Sequence, residues 1–165
     1  MSERRRYHPT DFGNAQWKRI LRFALERADG FSCAIPYPYV VQDLWEAPLV
    51  FRVLEGIRPA LAERELSMIR WERTQEQANQ FLHFRMTGEV RDFVRKPKGL
   101  EAWSWRQNMP EDPSFHLGAT TLVTTESGSG RIAVYANPEE HAWLTDQGVR
   151  LIEPLGVRAK PWPTP

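Results

Sequence analysis

The sequence predicts an α+β fold: a single compact domain, mainly antiparallel sheet, with an N-terminal amphipathic helix, a central kinked helix and a short C-terminal helix between strands. Three observations carry this expectation. Residues 118–155 read in order as strand, tight turn, strand, capped helix, glycine stop and strand. Residues 14–28 instead repeat apolar side chains at helical spacing. The length, 165 residues, favours one domain and suffices for a core without disulfides. The expected organisation is a flexible basic tail over 1–9, one α+β domain over 10–155, and a Pro-rich extended tail over 156–165.

Arg4, Arg5 and Arg6 stand together and read as solvated. In 14–28, Trp17, Ile20, Leu21, Ala24 and Ala28 share one face. Asn14 is the expected N-cap, and Gly30 the left-handed residue after the helix. Residues 31–35 predict a short strand. Pro36-Tyr37-Pro38-Tyr39 is extended or turned, because each proline pushes its predecessor out of the helical region. Between 48 and 65, Val50, Val53, Leu54, Ile57 and Leu61 keep helical spacing, while Gly56 and Pro59 oppose one smooth helix. A kink, or a stop near Gly56 with a restart at Pro59, follows.

Residues 67–73, 81–86 and 90–95 predict strands, the last two joined by a hairpin at Thr87-Gly88-Glu89. Trp103 and Trp105 would share a face of an extended chain. Residues 108–114, with two prolines and two acids, predict a surface loop. Strands at 119–125 and 131–136 flank the turn at 126–130. Asn137-Pro138-Glu139-Glu140 opens a helix with a capping side chain, a proline that needs no N–H and two acids at the positive end of the dipole. Trp143 and Leu144 supply its buried face, Gly148 ends it, and 149–152 predicts the last strand.

Composition narrows the function classes. Hydrophobic content is 41% and charged content 26%, as in soluble globular chains. The net charge of +1 supplies no global attraction for nucleic acid or membrane. No apolar run approaches the roughly 20 residues of a membrane helix, and the charged residues 1–8 precede no signal-peptide core. One cysteine, Cys33, fits a reducing compartment and a buried, inert thiol. The expected location is cytoplasmic.

Local chemistry is sparse. No pair among His8, His83, His116 and His141 has metal-ligand spacing, and there is no C-x-x-C. Ser127-Gly128-Ser129-Gly130 lacks the lysine and following helix of a phosphate loop, and no G-x-S-x-G elbow exists. Neither cofactor nor metal is expected, and no catalytic residue is assigned.

Three function classes stay open. The leading one is a small protein-binding module, such as a bacterial immunity-type inhibitor that neutralises a toxin or enzyme. Its surface would be aromatic and arginine-rich, with Tyr37, Tyr39, Arg95, Trp103, Trp105 and Arg106 as contacts. The alternative is a nucleic-acid-associated protein using 85–106. There Arg85, Arg91, Arg95, Lys96, Lys98 and Arg106 outnumber three acids and interleave with aromatics, as phosphate pairing and base stacking require. The third is an enzyme with a dispersed site, in which His83 and His116 meet a carboxylate such as Asp112 and act as general bases.

Overall fold

A computed structural model describes residues 3–11, 13–35, 49–70 and 76–154, the side chains of 49–51 and 66–79 excepted. Among them, eight strands form one antiparallel sheet. In chain order they are β1 (Arg5–Pro9), β2 (Gly30–Ile35), β3 (Leu61–Arg70), β4 (Glu76–Arg85), β5 (Glu111–Leu117), β6 (Thr120–Glu126), β7 (Arg131–Ala136) and β8 (Leu151–Ile152). Across the sheet the order is β3-β4-β2-β5-β6-β7-β1-β8, so β2 lies in the interior between β4 and β5. The helices are α1 (Asn14–Arg27), α2 (Gly88–Arg95) and α3 (Pro138–Asp146). The α+β class and the antiparallel sheet match the sequence expectation.

The apolar stripe of α1 is buried as its spacing requires: Trp17, Ile20, Leu21, Ala24 and Ala28 all lie in the core. Successive side chains of a strand point to opposite faces. Phe31 and Cys33 of β2 therefore face the same way as their cross-strand partners Phe84, Leu82 and Phe115, into the core beneath the helices. Phe31 is its hub. Its ring lies 5.6 Å from Phe115, 5.8 Å from Trp103, 5.9 Å from Phe84 and 6.3 Å from Phe93 of α2. Burying each such aromatic contributes about 1.5–3 kcal/mol.

Several expectations change. The N-terminal segment is not a loose tail: β1 pairs with both β7 and β8. Arg4 holds it through two bonds to the nearly buried Glu140 of α3, one of them 2.7 Å. A charge pair at low exposure is a stronger tie than the sequence reading of solvated arginines allowed. Gly13 rather than Asn14 precedes the first turn of α1, and Gly30 opens β2 instead of ending the helix.

The central kinked helix is a run of 3-10 turns over Leu49–Ala60, and Leu61 already begins β3. Its buried residues Leu54, Ile57 and Ala60 are spaced by three, the repeat of a 3-10 helix, on which such positions eclipse. Residues 90–95 are helical, not the second strand of a hairpin. Thr87 caps α2 by accepting the Val90 N–H, and Val90, Phe93 and Val94 bury one helical face. Those three fall at i, i+3 and i+4, a period that outweighs the glycine-containing turn signal. Most of the expected loop at 108–114 belongs to β5, entered through Asp112 with φ of 51°. The tyrosines at 37 and 39 and the tail over 156–165 lie outside the described residues.

The C-terminal third follows the sequence most closely. Asn137 and Glu140 form a reciprocal capping box at the start of α3, and Gly148 ends the helix region with φ of 78°, where a side chain would be strained. Trp143 is only partly buried: it packs 6.2 Å from Phe23, with the Arg27 guanidinium 5.0 Å from its ring. Asn137→Ala should lower stability by about 1 kcal/mol, whereas Asn137→Asp should hold it within roughly 0.5 kcal/mol. Chemical denaturation of the two variants checks this.

Candidate functional site

The face of β2 opposite Phe31 carries only small residues, Gly30, Ser32 and Ala34. Their neighbours across the strands are larger, Ser114 excepted. Ser32 pairs with His83 of β4 and Ser114 of β5, Gly30 with Arg85 and His116, and Ala34 with Phe81. By side-chain size alone this face forms a trough, with small residues on β2, Phe81, His83 and Arg85 on β4, and His116 on β5. The ring centroids of the two histidines are 6.4 Å apart. Ser32, only 5% exposed, forms the floor between them.

Two contacts give the trough its chemistry. The Ser32 hydroxyl and Nε2 of His116 are 2.8 Å apart, a full hydrogen bond. Nε2 of His83 lies 3.4 Å from a carboxylate oxygen of Glu65 on β3. Glu65 reaches His83 diagonally, since β3 pairs Glu63 with His83 and Glu65 with Phe81.

The end of the trough at His116 is rigid. The Asp29 N–H donates to the His116 carbonyl at 3.0 Å, and the Asp29 carboxylate accepts the Gly118 N–H at 2.9 Å. Gly118 has φ of 55°, a conformation that suits glycine in the tight turn between β5 and β6. This lock places an acid next to His116 without a direct hydrogen bond to its ring among the described residues.

Burial pushes the His116 pKa below its ordinary 6.5, and neighbouring His83 pushes the same way; Asp29 opposes both. Both influences favour the neutral imidazole, and its Nε2 lies within hydrogen-bond distance of the Ser32 hydroxyl, which donates when the ring proton sits on Nδ1.

Asp112, the carboxylate that the sequence places near His116, has another task. Its Oδ1 accepts the Ser127 N–H at 2.7 Å and the Ser127 hydroxyl at 3.0 Å, stapling β5 to the turn before β7. Burial raises its pKa despite those donors. The same burial, with Asp112 nearby, pushes the Cys33 thiol far up, so Cys33 is inert. The remaining histidines are structural. His8 Nδ1 contacts the Ile132 carbonyl at 2.8 Å, and the His141 ring packs at a tilt against Tyr7, 4.5 Å between centroids. Among the described residues no group of three metal-ligating side chains converges.

The residues expected to contact a partner do not form one surface. Trp103 is fully buried against Phe31 and Phe93, which withdraws it as an exposed anchor. It closes one 3-10 turn (Leu100–Ala102), while Trp105 opens the next (Trp105–Gln107), so the two rings do not share a face. Trp105 is 37% exposed with the Arg106 guanidinium 5.5 Å from its ring. Arg95 pairs with Asp92 in solvent.

The basic aromatic sheet face expected over 85–106 is likewise absent: that stretch is helix and 3-10 turn, with Phe93 and Trp103 inside. Arg91 is spent on the C-terminal end of α1, donating to the carbonyls of Leu25 and Ala28, and Arg85 donates to Pro59. A cleft of about 440 Å³ lined by Lys18, Leu21, Arg22, Leu25, Glu26, Arg95 and Pro97 opens at α1, away from the trough. Its charged lining includes the Arg22–Glu26 ion pair one turn apart on α1.

No protein-family model, curated protein or solved structure matches this chain. No helix among the described residues is long and apolar enough to cross a membrane.

The histidine environment predicts a pH dependence. A His held below 6.5 in the folded state binds its proton later than in the unfolded chain. Its contribution to stability is complete above pH 6.5 and declines as pH falls from there toward the folded value. Histidine titration by NMR should place His116 below 6.5, and His83→Gln should move it upward. A His116 value at or above 6.5 that ignores His83 contradicts this geometry.

Proposed function

We propose that the protein is an enzyme whose chemistry is general-base activation of a hydroxyl by His116. The observation that supports this reading best is the 2.8 Å contact between Ser32 Oγ and His116 Nε2 on the floor of a trough. A base needs hydrogen-bond reach to the proton it takes and a pKa near the working pH. The bond to Ser32 supplies the reach. Burial and His83, which hold His116 unprotonated, supply the availability. His83 with Glu65 forms a second, half-exposed acid–base pair at the open side, where a substrate or leaving group can exchange a proton with solvent. A histidine whose charged form is disfavoured by burial, within hydrogen-bond reach of a hydroxyl, supports a functional site on physical grounds.

A second reading keeps the protein-binding module, including the immunity-type inhibitor. It rests on Trp105 and Arg106, an exposed stacked pair of the residue types that dominate binding hot spots. Trp103 no longer contributes to it, and its other aromatic contacts, Tyr37 and Tyr39, lie outside the described residues.

A panel of chromogenic esters, amides, phosphoesters and glycosides tests the enzyme reading. At least one class should turn over, with a rate that rises with pH through a value below 6.5. His116→Ala should lower kcat/KM by about 100-fold or more, while Trp105→Ala should leave it unchanged. Turnover of none of these classes, or turnover indifferent to His116, would remove the enzyme reading and leave the Trp105 and Arg106 surface in front.

A further inference from the structure

Resting on the general-base reading, we infer that Ser32 is the nucleophile and that the substrate is an uncharged or cationic carboxylic ester, cleaved through an acyl-Ser32 intermediate. The hydroxyl within reach of the base is the protein's own. Ser32 stands 2.8 Å from Nε2 of His116, in a position where its proton has a direct acceptor. The acid beside His116 is Asp29, fixed by the Gly118 N–H. It favours the imidazolium that forms when the proton arrives, which is the charge-stabilising part of the role a carboxylate has in a serine–histidine–aspartate triad.

The rim selects the substrate charge. Glu63 and Glu65 stand on the trough side of β3, opposite and diagonal to His83, and Asp29 adjoins His116. Arg85, on the same face, bonds the Pro59 carbonyl. With Glu111 opposite Ala34 and the Arg106 charge acting on it, the carboxylates among the described residues of this face outnumber its cations, which disfavours a phosphate and tolerates a neutral or positive acyl compound. Among the described residues His116 is the base in contact with the nucleophile, and its imidazolium, disfavoured by burial, gives its proton readily to a departing alkoxide. That suits an ester, whose leaving group needs a single proton.

The balanced sequence is short. Ser32 Oγ bonds to the acyl carbon as its proton passes to His116 Nε2. The carbon–alkoxide bond breaks, and the alkoxide takes that proton and leaves as the alcohol. Water then gives a proton to His116 while its oxygen bonds to the acyl carbon. Ser32 Oγ departs, recovers the proton, and the carboxylic acid is released. No oxidant, reductant or metal enters. His83, open to solvent on the far side of Ser32, lies where the alcohol would exit.

The test is pre-steady-state hydrolysis of p-nitrophenyl acetate by the full chain, followed by peptide mapping of the acid-quenched protein. The expected result is a nitrophenolate burst of one equivalent per chain, with acetyl on Ser32. Ser32→Ala should abolish the burst, and His116→Asn should slow acetylation by about 100-fold or more. Mapping uses the wild-type protein, so it stands even where a variant folds poorly. His116-dependent hydrolysis with no acetyl on Ser32 overturns the nucleophile assignment and leaves the general-base reading, with water as the attacking group. Acetyl only on surface lysines, with hydrolysis indifferent to His116, overturns both.

Discussion

Strand β2 carries two faces that cannot be exchanged, and the rest of the molecule is arranged around that constraint. One face presents Phe31 to four aromatic rings from β4, β5, α2 and the turn that follows α2. The other presents Gly30, Ser32 and Ala34, none larger than a hydroxymethyl group beyond Cα. A slip of one residue would put Ser32 into the core and Phe31 into the trough, so the aromatic packing fixes the register of the site. The same bonds that hold β2 between β4 and β5 bring His83 and His116 to its two flanks.

Electrostatics then divides the polar groups by burial. Carboxylates that are more deeply placed serve structure: Glu140 closes the cap of α3 and holds Arg4, and Asp112 staples the turn at Ser127. The half-exposed Glu65 and the turn-bound Asp29 flank the histidines instead. A neutral His116 is what this arrangement favours, because burial and a neighbouring histidine both disfavour its charge. Asp29 opposes that effect, so it favours the imidazolium when His116 takes up a proton.

Much of the fold was legible in the sequence because its signals are local. The stripe from Trp17 to Ala28, the cap at Asn137, the stop at Gly148 and the strand at 131–136 each depend on neighbours within a turn or a pair of strands. Legibility failed where two local signals competed. Thr87-Gly88-Glu89 reads as a hairpin turn and also as a cap with the first residues of a helix, and the burial of Val90, Phe93 and Val94 decides for the helix. Leu54, Ile57 and Ala60 obey a three-residue repeat that a helical template with wider spacing conceals.

The candidate site was half legible. His83 and His116 were recognisable as bases in need of a meeting point, but Ser32 was not, since 84 residues separate it from His116 and strand order alone joins them. The one available hint was the alternation of Gly30, Ser32 and Ala34 with Phe31, Cys33 and Ile35, which marks a strand with one bulky and one small face. Trp103 misled for the opposite reason: its spacing from Trp105 suggests a shared exposed face, and only the packing around Phe31 shows it to be core.

The central claim is that Ser32 donates its hydroxyl proton to Nε2 of a neutral His116. Long-range proton–nitrogen NMR correlation of the histidine rings measures this directly at neutral pH. The account predicts His116 in the tautomer protonated at Nδ1, with an unprotonated, hydrogen-bonded Nε2 whose shift changes in Ser32→Ala. A doubly protonated His116 ring, or a proton on Nε2 that is insensitive to Ser32, would contradict it.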